Sequence, residues 1–266
     1  MVSRLRVVFF AVSLAQGIPA AAQQNTPPQS SFVGESHTPQ GTIVQPPKTP
    51  VIVTPEMRGD IFMARKMYRE AAEAYLEGSK SPVLLNKTGI AYHQLTDLHL
   101  AEKYYRLAIK ANPEYGEAIN NLGTVYYQRK SYRRAVNEYK KALRITPKSA
   151  AVWSNLGTGY FARKDYKHAW EAWQEALGLD PDVFEHRNTQ GVLLQERGVE
   201  DRAKFHYYLA KSYAKAGMND RALLYIRKAL EEGFKERKKF EEDPEFAPLK
   251  NLPEFKQLLA MEPRVL

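Results

Sequence analysis

Gly89, Gly123, Gly157 and Gly191 follow one another at intervals of 34 residues. A fixed period of that length is the mark of a chain built from stacked two-helix units, each unable to bury its apolar face alone. The glycines do not stand by themselves. The same step joins Ala101, Ala135, Ala169 and Ala203, and again Ala108, Ala142, Ala176 and Ala210. It aligns the rings Tyr105, Tyr139, Trp173 and Tyr207, the tyrosines Tyr92, Tyr126 and Tyr160, and Pro113, Pro147 and Pro181. The small residues let two antiparallel helices approach closely at their crossing, and the rings are expected to fill the gap to the next pair. Asn112-Pro113, Thr146-Pro147 and Asp180-Pro181 close one pair and open the next. Proline lacks the backbone donor a helix interior needs and disfavours helix in the residue before it.

These columns resemble the tetratricopeptide repeat family. In residues 150–183, Trp153, Leu156, Gly157, Tyr160, Ala169, Trp173, Ala176 and Pro181 fill all eight signature positions. Residues 116–149 match through Leu122, Gly123, Tyr126, Ala135, Tyr139, Ala142 and Pro147, and residues 82–115 through Gly89, Tyr92, Ala101, Tyr105, Ala108 and Pro113, with Thr88 in place of leucine. A weaker first unit, near 52–81, keeps Gly59, Phe62, Ala71 and Tyr75. Its glycine stands only 30 residues before Gly89, so a shortened closing turn is expected. Toward the C-terminus two frames overlap. Residues 184–217 keep Gly191, Ala203, Tyr207 and Ala210, while residues 203–236 also read as a unit through Leu209, Ala210, Tyr213, Ala222, Ile226 and Ala229. Both cannot be complete pairs, and the sequence leaves the choice open; one helix of about 201–216, punctuated by Gly198 and Gly217, is expected to be shared. The fold implied is all-α, a right-handed α-solenoid of helix pairs over 54–236, closed by a C-terminal helical cap over 237–266. In that cap, Asp243-Pro244 and Leu252-Pro253 start short helices.

The segment before the repeats reads differently. Arg4 and Arg6 precede the apolar run Val7 to Ala15, Gly17 and Pro19 break it, and Ala20 to Ala22 offer small residues for cleavage. This is the pattern of a secretory signal over 1–22, removed before Gln23, and the run is too short for the roughly 20 residues of a spanning helix. Export to the periplasm or the exterior is therefore expected, with no transmembrane span after cleavage. Residues 23–53 hold most of the seven prolines that fall between Pro27 and Pro55, with Gln, Ser and Thr and few large apolar side chains. Such a stretch cannot offset its ordering entropy by burial, and reads as a disordered linker. The chain has no cysteine, so no disulfide is available. Loss of residues 1–22 takes the formal charge from +9 to +7, which favours anionic partners at long range.

No catalytic constellation is present. The six histidines fall in no metal-type pairing, and the chain has neither a Gly-x-Ser-x-Gly elbow nor a phosphate-binding glycine loop. No enzyme activity, cofactor or metal is expected. The family resemblance implies a groove instead, lined by the first helix of each pair. The fifth position of successive units reads Asn86, Asn120, Ser154 and Asn188, with Thr124 and Thr158 one turn on, then His93, Tyr127 and Phe161. Amides and hydroxyls in such a ladder could bond an extended protein or peptide segment. Family members that grip acidic chaperone tails use a Lys/Asn/Asn/Lys/Arg clamp; the matching positions here are Asn86, Ile90, Asn121, Ala151 and Asn155, which lack the three cations. A second surface is basic. Arg133, Arg134, Lys140, Lys141 and Arg144 crowd one unit, expected on its outer, convex side, where anionic polymer or lipid of a cell envelope could dock. Export argues against nucleic acid. The leading reading is an exported scaffold that holds a protein segment in the groove; the alternative is an envelope component that uses the convex face. The sequence names no partner and fixes no oligomeric state.

Overall fold

The computed structural model describes residues 52–78, 80–185 and 199–261. Residues 1–51, which include the expected signal and most of the expected linker, fall outside them, as do Asn188, Gly191 and Gly198 of the overlapping C-terminal frame. The described residues are helical, and they run as antiparallel pairs. The first four pairs are α1 (Pro55–Ala64) with α2 (Tyr68–Glu77), α3 (Pro82–Gln94) with α4 (Leu98–Ala111), α5 (Gly116–Gln128) with α6 (Tyr132–Ile145), and α7 (Ala150–Ala162) with α8 (Tyr166–Leu179). The first helix of each pair is an A helix and the second a B helix. A fifth pair, α9 (Val199–Lys215) with α10 (Asn219–Glu231), is followed by α11 (Lys239–Glu242), a 3₁₀ turn at Pro244–Leu249 and α12 (Pro253–Ala260).

The starts of the helices are written locally. Thr54, Ser81, Asp97 and Ser149 each accept a hydrogen bond from the backbone N–H three residues on, at 2.9 to 3.4 Å. This satisfies one of the donors a helix N-terminus leaves free. Prolines at the first position preset the backbone of α1, α3 and α12. The loops between pairs, 78–81, 112–115 and 146–149, have one length. The first unit is short because α2 has 10 residues where α4, α6 and α8 have 14. The expected shortening thus falls in a helix, about one turn of it, and not in the closing loop.

The glycine column works within each pair. A Cβ added at Gly89 or Gly123 would stand 2.6 Å from a ring carbon of Tyr105 or Tyr139, and Gly59 and Gly157 are pressed still closer against Tyr75 and Trp173. Each ring packs against the glycine of its own A helix. The rings were expected to fill the gap to the next pair; the glycine instead clears a seat for the ring inside the unit. Tyr105, Tyr139 and Trp173 are buried, with Ala101, Ala135 and Ala169 fully enclosed beside them. Thr88, where the family carries leucine, is buried too, its hydroxyl donating to the Leu84 carbonyl at 2.8 Å.

Successive A helices approach one another, α3 with α5 and α5 with α7, more closely than the B helices do. The stack therefore curves with the A helices on its inner side. Open clefts remain between B helices on the outer side.

Candidate functional site

The inner side is made of amides, and they bond to each other. Asn121 Nδ2 donates to Asn86 Oδ1 at 3.1 Å, and Asn155 Nδ2 donates to Asn120 Oδ1 at 3.0 Å. The fifth residue of one unit thus accepts from the sixth residue of the next, 35 positions on, and a chain of amides ties α3 to α5 and α5 to α7. Asn86 completes its set by donating to Glu117 Oε1 at 3.0 Å and Tyr115 Oη at 3.4 Å. Asn86, Asn120, Asn121 and Asn155 are all buried. An amide so placed costs stability unless bonded, and this pattern bonds it. Asn120 is the exception in part, since its Nδ2 has no partner among the described residues.

Several residues expected to line an open groove are placed otherwise. The Thr124 and Thr158 hydroxyls donate back to the carbonyls of Asn120 and Ser154, four residues earlier, at 3.3 and 2.9 Å. Both side chains are buried. The hydroxyl of a threonine inside a helix reaches its own i−4 carbonyl readily, which spends its donor. Phe161 is buried beneath α9, with ring centroids 5.7 Å from Phe205 and 5.8 Å from Trp173. It belongs to the joint between the fourth and fifth pairs. Tyr127 is buried with its ring 5.3 Å from Tyr132. His93 is half-buried, with Nε2 3.0 Å from Gln128 Oε1 and Nδ1 3.3 Å from Tyr105 Oη. Burial holds its imidazole below the ordinary histidine pKa. Ser154 is half-buried at the same inner position. Asn188 lies outside the described residues.

The groups a carboxylate clamp would need are absent or engaged. Asn121 and Asn155 are spent on the neighbouring units, and Ile90 and Ala151 offer no charge.

On the outer side Arg133, Arg134, Lys140, Lys141 and Arg144 are all exposed. They are not equivalent. Lys141 pairs with Glu138 at 2.8 Å, Arg134 lies over the Tyr126 ring and Lys140 over the Tyr160 ring. Two clefts of about 540 and 670 Å³ separate the B helices. Their linings correspond at the 34-residue step: Arg106, Ile109, Leu122 and Tyr126 in one, Lys140, Leu143, Leu156 and Tyr160 in the other. Arg144 borders both. The sequence reading missed these clefts because they exist only between units. Among the described residues no cluster of three or more histidines or carboxylates could hold a metal ion, and no helix is long and apolar enough to cross a membrane.

Comparison with known proteins returns the repeat. Residues 84–115 match a family model described as tetratricopeptide repeat, and residues 123–158 match one described as TPR repeat. No curated protein sequence matches the chain. Among solved structures, a crystal structure of MamA is 18% identical, covering 65% of this chain and 93% of that one with a TM-score of 0.47. MamA residues 41 to the end from Desulfovibrio magneticus RS-1 are 21% identical, over 65% and 89%, with a TM-score of 0.46. YrrB, described as a TPR protein with an unusual peptide-binding site, is 22% identical, over 47% and 67%, with a TM-score of 0.43. The two matched segments fall on helix pairs that carry the ring-on-glycine seat, and the chain carries tetratricopeptide repeats.

Proposed function

We propose that this chain is a protein-binding scaffold, not a catalyst, which holds an extended segment of a partner along its inner, A-helix side. The observation that carries the reading is the fixed row of amides. Asn86, Asn121, Asn120 and Asn155 are held in place by one another, and the Asn120 Nδ2 donors have no partner in the described chain. A donor fixed in advance loses little entropy when a peptide carbonyl reaches it. Half-buried Ser154 and His93 flank it on the inner side. The absence of cations along this row favours a neutral backbone segment over an acidic tail.

The test is affinity capture with the full chain as bait, compared with Asn120→Ala and Ser154→Arg variants. Loss of the captured protein with both variants supports the inner side; capture that survives both removes it. Export belongs to the same proposal and rests on the charged start, apolar run and Ala20–Ala22 of residues 1–22. N-terminal sequencing of the protein made in cells decides it, since a start at Met1 is incompatible with cleavage.

A further inference from the structure

We propose that the edge of the solenoid formed by its A–B turns docks on the surface of an anionic phospholipid bilayer. This goes beyond the inner-side reading and uses a different face. Each A–B turn of the first four units is closed by one residue in the left-handed conformation: Lys66 (φ 60°), Thr96 (φ 61°), Lys130 (φ 57°) and Lys164 (φ 62°). The equivalent turn between α9 and α10 uses Gly217 at φ 74°. Glycine takes this conformation without a Cβ clash, and any other residue pays for it. Three of the four turns nevertheless carry lysine, each preceded by an arginine: Arg65-Lys66, Arg129-Lys130 and Arg163-Lys164.

A second local rule is broken at the same edge. The B helices begin there, and a helix N-terminus carries partial positive charge that favours acids. Yet α6 opens with Arg133 and Arg134 behind the uncharged N-cap Ser131, and α8 has Lys167 behind the N-cap Asp165; neither has an acid in its first turn. Of the four B helices only α2 has one, Glu70. The acids that cap the turns are engaged, Asp97 with the Leu100 N–H at 2.9 Å and Asp165 with His168 at 2.8 Å. Arg129 pairs with Glu102. Arg65, Lys66, Lys130, Arg163 and Lys164 are exposed and enter no ion pair among the described residues. Neighbouring turns pool their charge: Lys130, Arg133, Arg134 and Arg163 line one open cleft of about 530 Å³ with no carboxylate in its wall. Two unfavourable local choices that add up to one feature point to a use for that feature.

The feature is a row along an edge, so it fits an extended anionic surface better than a single small anion. What separates a bilayer from a polyanionic strand is the apolar content. Met67 follows Arg65-Lys66 in the first A–B turn and Leu95 precedes Thr96 in the second, and each is 37% exposed. A strand would leave them in water. A bilayer surface takes cations at the headgroups and short apolar side chains just beneath them.

The experiment is co-sedimentation of the full chain with large vesicles. Binding is scored as the excess on phosphatidylglycerol and phosphatidylcholine in equal parts over phosphatidylcholine alone. A clear excess that fades at high salt is expected. The triple variant Lys66→Gly, Lys130→Gly, Lys164→Gly is expected to unfold at the same temperature or higher, because glycine relieves the left-handed turns, while its excess binding weakens by about a hundredfold. The pair Met67→Ser, Leu95→Ser should weaken vesicle binding several-fold and leave binding to inorganic polyphosphate unchanged. No excess on the charged vesicles overturns the proposal, and so does a glycine variant that binds them as the parent does. Tighter binding to polyphosphate or an oligonucleotide than to the vesicles at equal salt assigns the edge to a strand and also overturns it.

Discussion

The four leading helix pairs and the block from α9 onward solve the same packing problem by different means. In the leading pairs an aromatic ring lies on a glycine of its own unit, and the seat recurs at Gly59, Gly89, Gly123 and Gly157. The second, third and fourth units are then joined by the buried amides, and the first is tied to the second by Lys87 with Glu56 and Asp60. In the C-terminal block rings lie on rings. Tyr207 stacks on Phe234 at 4.5 Å, and Phe240 and Phe246 pack at 5.4 and 6.1 Å around it. Polar groups seal that block as well: Tyr207 bonds Asp243, Lys211 reaches Asp243 at 3.0 Å and Glu245 at 3.3 Å, and Arg237 donates to the Leu259 and Met261 carbonyls at the end of α12. A repeat can be extended because each unit offers its neighbour the same face. An end cannot be, and here a non-repeating aromatic cluster covers the last face.

The sharpest way to break this comparison is in the end block. Phe246 is fully buried at its centre, and Phe246→Ala is expected to cost about 3–5 kcal/mol through the lost area and the cavity left behind. If the two regions are separate, hydrogen exchange will rise in α9, α10 and α12 first, with the amides of α3 to α6 still protected. Equal loss everywhere would make the chain one cooperative unit. The matching change in the repeat is Gly157→Ala, whose methyl group must displace the Trp173 ring. Overpacking of this kind costs about 1–3 kcal/mol, and here the exchange of α7 and α8 should rise while α10 and α12 stay protected. Thermal unfolding of the two variants gives the order of the costs.

Smaller still is the loss from Lys211→Met. The side chain is only 18% exposed, and its ammonium sits between Asp243 and Glu245, whose side chains are 21% and 12% exposed. Removing it leaves two carboxylates near each other in a poorly solvated place, at about 1–3 kcal/mol. The discount for partial exposure puts the expected value at the low end of that range. The companion variant Lys211→Met, Glu245→Gln should recover part of the loss, and no recovery would mean that Lys211 acts through its ammonium over the Trp170 ring, 5.4 Å from the ring centroid.

What could be read from the amino acids differs between the two regions for a physical reason. The period of Gly89, Gly123 and Gly157 is a local, repeated signal, and with it came the helix pairs and the fold class. That the rings of Tyr105, Tyr139 and Trp173 turn back onto their own glycines depends on the crossing of two helices, which the spacing does not state. The inner row was legible as a row of polar residues, but not its bonding. Asn120 meets Asn155 from the following unit, while Thr124 and Thr158 turn to their own helices, and residue type alone does not distinguish the two. Phe161 was read as a groove residue because its partners, Phe205 and Tyr208, come from a helix more than 40 positions away. The left-handed lysines were invisible for the opposite reason. Lys66, Lys130 and Lys164 look like ordinary surface cations until the backbone shows that glycine would fit better there.

The smallest expected effect sharpens the comparison through pH. His93 belongs to the leading pairs, where burial holds its pKa below the ordinary value of about 6.5 and the Gln128 carbonyl opposes only in part. Above that value the ring is neutral in both the folded and the unfolded chain, so it contributes no pH dependence. As the pH falls through the unfolded value, the unfolded chain takes up the proton first and the folded state loses stability, until the folded ring is protonated too. His206 in the C-terminal block is lowered in the same direction by burial, but Glu232 at 2.7 Å works against it. Acid should therefore weaken the leading pairs more than the end block. Between pH 8 and pH 5 the melting temperature of His93→Gln is expected to fall less than that of the parent, and exchange in α3 and α4 should lose its acid sensitivity. Parent and variant curves that run parallel across this range would show that His93 keeps its proton affinity on folding, and the two regions would then respond to acid alike.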